Sequence, residues 1–170
     1  PILEFNTLID RKAETDRITD ALHRDDTQFI VIYGRRRIGK STLIKHIVNA
    51  RKQAVYFLSD TSVEAVQRAA FSKSVAMVID GFDKVVYPDW ESLFRSMNNQ
   101  LSERIIVCID EFPYLVKSCD VLPSVIQKLL NEKKLKFDLI LCGSSQQLMH
   151  GYVLNRQSPL YGLANEIIKM

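Results

Sequence analysis

Gly34-Arg35-Arg36-Arg37-Ile38-Gly39-Lys40-Ser41 sets two glycines, a lysine and a hydroxyl at the spacing GxxxxGK[ST], the spacing of a loop that holds phosphate. Glycines let the backbone wrap closely around phosphate oxygens, so that successive N–H groups and the positive end of the following helix face the anion. Lys40 adds a full positive charge among the outer phosphates. Ser41 offers a hydroxyl oxygen to a Mg²⁺ ion bridging the β- and γ-phosphates. Arg35, Arg36 and Arg37 read first as a solvated loop tip, with a supporting electrostatic role left open by their nearness to a polyphosphate. The binding set is therefore Gly34, Arg35, Arg36, Arg37, Ile38, Gly39, Lys40, Ser41 and Thr42.

A second set lies downstream. Asp110-Glu111 ends the apolar run Ile105-Ile106-Val107-Cys108-Ile109, where ATPases with such a loop place the carboxylate that holds the magnesium water shell. Asp110 takes that role. Glu111, its neighbour, is the candidate general base that orients and deprotonates an attacking water. Gly143-Ser144-Ser145 ends the next apolar run, and either serine hydroxyl can meet the γ-phosphate or the water, or can cap a following short helix. With strand one between strands three and four, these serines are expected across the phosphate loop from Glu111. The catalytic candidates are Lys40, Glu111, Ser144 and Ser145, and the metal candidates are Ser41 and Asp110.

These residues need elements to hold them, and the apolar pattern supplies an alternation of strands and helices, the mark of crossover units feeding a mainly parallel five-stranded sheet between helical layers. Strands are expected at 29–33, 55–58, 104–109, 137–142 and 166–169. Helices are expected at 11–23, with Ala13, Ile18, Ala21 and Leu22 facing a core, and around Leu43, Ile44, Ile47 and Val48 after the loop. Thr61-Ser62-Val63-Glu64 has the spacing of a capping box opening a further helix, and two more are expected at 89–101 and 121–131.

With 170 residues, 46% of them hydrophobic, the chain is sized for one well-buried domain, 1–170. A formal net charge of +3 is too mild to argue for a nucleic-acid surface. No apolar run is long enough for a membrane span and the first ten residues are not a signal peptide, so a soluble cytoplasmic protein is expected, with no membrane partner. Cys108, Cys119 and Cys142 lack metal-ligand spacing and read as packing residues, and His23, His46 and His150 are too scattered to form a metal site.

The chain resembles the archaeal-type ATPases of the AAA-like and STAND assemblage of P-loop NTPases. The likeness is carried by Ile9-Asp10-Arg11, by Tyr33 through Leu43, by Ile109-Asp110-Glu111-Phe112-Pro113-Tyr114-Leu115, by Cys142 through Ser145, and by Ser158-Pro159-Leu160-Tyr161-Gly162. It implies ATP as the nucleotide, the roles above for Lys40, Ser41, Asp110 and Glu111, and an adenine pocket lined near Ile9 to Arg11. Family members carry an arginine directly after the segment matching 159–162, where this chain has Leu163. Arg156, just upstream, is the candidate substitute. Members also continue into a helical lid and a C-terminal winged-helix-like or nuclease-like region, which is expected to be absent from residues 1–170 and through which any DNA contact is expected to run. Self-association or a partner protein fits either a hydrolysing core or a non-hydrolysing ATP-dependent switch. The Asp-Glu pair disfavours a small-molecule kinase, and the lack of an NKxD stretch disfavours GTP.

Overall fold

The apolar runs alternate in space as well as in sequence. The computed structural model describes residues 12–34 and 53–170. Among these, the chain forms α1 (Lys12–Leu22), β1 (Phe29–Tyr33), β2 (Ala54–Leu58), α2 (Glu64–Val75), α3 (Trp90–Gln100), β3 (Ile105–Asp110), α4 (Phe112–Ser118), α5 (Leu122–Glu132), β4 (Phe137–Gly143), α6 (Gln146–Met149), a π-helical turn (His150–Leu154) and β5 (Glu166–Lys169). The helix expected around Leu43 to Val48 lies outside the described residues.

The five strands form one parallel sheet in the order β2-β3-β4-β1-β5. Side chains of a strand alternate between faces. Phe29, Val31, Val107, Ile109, Leu139 and Leu141 therefore enter the larger core with Phe71, Trp90, Phe94 and Leu115 of the helices. Ile30, Ile32, Ile106, Cys108, Ile140 and Cys142 face the other way, onto Ile18, Ala21 and Leu22 of α1. Burial on both faces is why β1, β3 and β4 read as unbroken apolar runs rather than as alternating ones. Arg17 of α1 donates to Glu166 of β5 at 2.7 Å, fastening the helix to the sheet edge. Among the described residues no helix is long and apolar enough to cross a membrane.

Three local expectations are corrected. Strand one does not lie between strands three and four: β4 pairs with both β3 and β1. Strand order depends on where the crossovers land, which local periodicity does not encode. Ala13 is exposed, and the core face of α1 is carried by Ile18, Ala21 and Leu22. The capping box at Thr61 does not form: the N-cap of α2 is Val63, with no side-chain cap. Gln67, 1% exposed, organises that corner instead, accepting from the Asp60 N–H and donating to the Ser62 carbonyl, each at 3.0 Å. Glu64 is paired with Arg68 one turn on, where a box would have turned it back.

Candidate functional site

In a parallel sheet the functional groups gather at the carboxyl ends of the strands. β1 ends in Tyr33 and Gly34, β3 in Asp110 and Glu111, and β4 in Gly143 and Ser144. The pairing Ile109↔Leu141 and Ile32↔Cys142 sets Asp110 level with Cys142 and Ile32. Two strand spacings, about 10 Å, therefore separate the end of β1 from Asp110, with the end of β4 between them.

Gly34, the first residue of the expected phosphate loop, has φ 154° and donates its N–H to the Gly143 carbonyl at 3.2 Å. A Cβ there would come within 2.4 Å of the Met170 carbonyl oxygen, so this position has no room for a side chain. Arg35, Arg36, Arg37, Ile38, Gly39, Lys40, Ser41 and Thr42, and the adenine-side segment Ile9 to Arg11, lie outside the described residues.

Asp110 is 1% exposed. Its Oδ1 accepts from the Glu111 N–H at 2.9 Å and its Oδ2 from the Tyr56 hydroxyl at 2.5 Å. A buried carboxylate requires such donors or a cation. Burial first, and then the bond to Asp110, push the Tyr56 phenol above its ordinary value, so Tyr56 stays protonated and donates.

Glu111 turns the chain out of β3 at φ 54°, ψ 43°, the left-handed region that a non-glycine residue enters at a cost of about 1–3 kcal/mol. Ser59, 3% exposed on the loop after β2, holds that corner. Its hydroxyl donates to the Asp110 carbonyl at 2.8 Å and to the Glu111 carbonyl, and its N–H donates to the Asp110 carbonyl at 3.0 Å. The turned side chain meets β4, where the Ser144 N–H donates to Oε1 and the Ser144 hydroxyl to Oε2, each at 3.1 Å.

The two serines therefore divide their work. Ser144 holds the carboxylate of Glu111, on the same side of β1 and not across it, because β4 lies between β3 and β1. Ser145 accepts from the Leu148 N–H at 3.2 Å and caps α6. Leu163 is half-buried against the larger core, and Arg156 is exposed. Sequence reasoning missed Tyr56 and Ser59. A hydroxyl within and just after the apolar run of β2 was the visible signal, but it gained meaning only once β2 was known to flank β3.

A family model described as an ATPase domain predominantly from Archaea matches residues 8–168. The chain belongs to this family. An uncharacterised protein of Methanocaldococcus jannaschii is 36% identical over 164 residues, which cover 95% of this chain and 35% of that protein. The chain thus spans about a third of that relative's length. Among solved structures, the Aeropyrum pernix ORC1 protein in complex with DNA superposes with a TM-score of 0.67 at 16% identity, over 94% of this chain and 44% of that one. The ORC2 protein of the same organism, in ADPNP and ADP complexes, gives 0.63 at 14% over 94% and 47%. Cdc6p of Pyrobaculum aerophilum gives 0.59 at 11% over 94% and 44%. At these identities the likeness establishes the fold alone, an α/β core built on a five-stranded parallel sheet, as the sequence led one to expect.

Proposed function

We propose that this chain is the nucleotide-binding core of an ATPase that binds ATP with Mg²⁺ and hydrolyses it to ADP and phosphate, driving a conformational change. The observation that carries the reading is the Asp110-Glu111 corner, with Glu111 steered by Ser144 toward the strand beside the phosphate loop. Gly34 opens the loop, whose backbone N–H groups cradle the phosphates, and Lys40 holds their charge. Asp110 offers oxygen donors of the kind a hard divalent cation takes, and with Ser41 it would hold Mg²⁺ chiefly through water. Bound there, Mg²⁺ neutralises charge on the outer phosphates. Glu111 takes the proton of the attacking water. Ser144 donates to both carboxylate oxygens and so fixes the direction in which the base faces that water.

Leu163 favours a second reading, a nucleotide switch with negligible turnover, because its half-buried side chain packs into the core where relatives carry an arginine. DNA contacts, self-association and partner proteins belong to the whole protein, for which we propose a cytoplasmic setting. The DNA recorded with A. pernix ORC1 is bound by a protein of which this chain spans 44%. Single-turnover hydrolysis of radiolabelled ATP tests the reading. The parent should release phosphate, and Glu111→Gln should bind ATP yet slow by roughly 10² to 10⁴. Equal rates would remove Glu111 as base, and tight binding by the parent without phosphate release would favour the switch.

A further inference from the structure

Tyr56 is an odd residue for its strand. Its neighbours Val55 and Phe57 are buried in the larger core, while Tyr56 points to the opposite face and packs beside the cluster of Cys108 and Cys142. In register it stands next to Cys108, and Asp110 pairs with Leu58. The phenol reaches diagonally past Cys108 to put its hydroxyl 2.5 Å from Oδ2 of Asp110. A phenylalanine would fill the same space. The hydroxyl must therefore be explained by what it holds.

It holds one of two carboxylate oxygens, while the other is fixed by the Glu111 N–H at 2.9 Å. Two donors on two different oxygens define the plane of the carboxylate, and the Tyr56 hydroxyl is one of the two. A carboxylate oxygen accepts along its lone-pair directions, and the plane decides where those directions point. We propose that Tyr56 is a positioning residue for the metal step: through Asp110 it sets the direction in which the carboxylate meets the water shell of Mg²⁺. The proposal rests on the metal role given above to Asp110. Groups that orient a metal-binding carboxylate are commonly worth 10- to 100-fold in metal affinity. Ser59, just after the same strand, grips backbone carbonyls and not the carboxylate, so the positioning role is assigned to Tyr56 and not to Ser59.

The test is the Mg²⁺ dependence of binding of a fluorescent ATP analogue, measured on the parent, Asp110→Asn and Tyr56→Phe, with affinity in EDTA and melting temperature recorded for each. Tyr56→Phe should need roughly tenfold more Mg²⁺ for the half-maximal gain in affinity and should keep the affinity seen in EDTA. A lowered melting temperature with an unchanged Mg²⁺ midpoint would make Tyr56 a packing residue and overturn the proposal. An unchanged midpoint in Asp110→Asn would remove the metal role of Asp110 itself, and the proposal with it. In the unaltered protein, adding Mg²⁺ to the nucleotide-bound state should move the ¹³Cζ resonance of Tyr56, a readout that does not depend on the variant folding. A resonance that stays in place would contradict the proposal.

Discussion

Ser144 grips Glu111 twice, with its N–H on Oε1 and its hydroxyl on Oε2, both at 3.1 Å. Alanine at 144 keeps the N–H bond and loses the hydroxyl one. A hydrogen bond to a charged group is worth about 1.5–3 kcal/mol, so turnover by Ser144→Ala should fall about tenfold or somewhat more. Affinity for ATP should change little. Stopped-flow phosphate release with parallel binding titrations separates the two. A loss confined to affinity would mean that Ser144 serves the nucleotide and not the base.

Gly143 sets the level of Ser144, and it has no room for a side chain. A Cβ there would lie 2.5 Å from Met149 Sδ, 2.7 Å from Met149 Cγ and 3.2 Å from Pro113 Cδ. Met149 is itself fully buried, so it can yield only by disturbing the core. Overpacking of this kind costs about 1–3 kcal/mol, which for a chain of this size lowers the melting temperature by roughly 5 °C. Scanning calorimetry of Gly143→Ala checks it, and an unchanged midpoint would show that α6 moves freely over the sheet.

Arg95 joins α3 to α5, donating to Glu91 at 3.0 Å and to Glu132 at 2.9 Å. Hydrogen bonds from Arg95 come first among the causes that hold both carboxyl groups below the ordinary 4.5. Groups whose pKa is lowered on folding contribute stability above the unfolded value and lose it as the pH falls through the folded one. The stability gap between the parent and Arg95→Gln should therefore be present at neutral pH and shrink as the pH drops below about 4.5. Because Arg95 is 40% exposed the gap is small and should narrow further in salt. Urea unfolding across that range checks the sign, and a gap that widens in acid would contradict it.

β1, β3 and β4 were legible because burial on both faces leaves continuous apolar runs, and the Asp110-Glu111 corner because it ends one of them. α4 was not. Phe112, Pro113 and Tyr114 begin a helix only seven residues long, too short for periodicity to declare, with Pro113 in the first-turn position that proline favours. The clamp by Tyr56 and Ser59 was hidden for another reason. It joins residues more than fifty positions apart, 54 for Tyr56 and Asp110, and depends on which strand lies beside which. The same nonlocality misplaced β4. Once β4 is set between β3 and β1, Ser144 moves from the far side of the loop onto Glu111, and the two readings of the serine pair separate, one residue to each.

Lys40 carries the central claim, since without a phosphate-binding loop the corner at Asp110 and Glu111 has no substrate to act on. Titration of parent and Lys40→Ala with a fluorescent ATP analogue in Mg²⁺ is the most direct measurement. The parent should bind saturably, and Lys40→Ala should lose measurable binding while its melting curve in the absence of nucleotide stays close to that of the parent. Equal affinities for the two proteins would contradict the account.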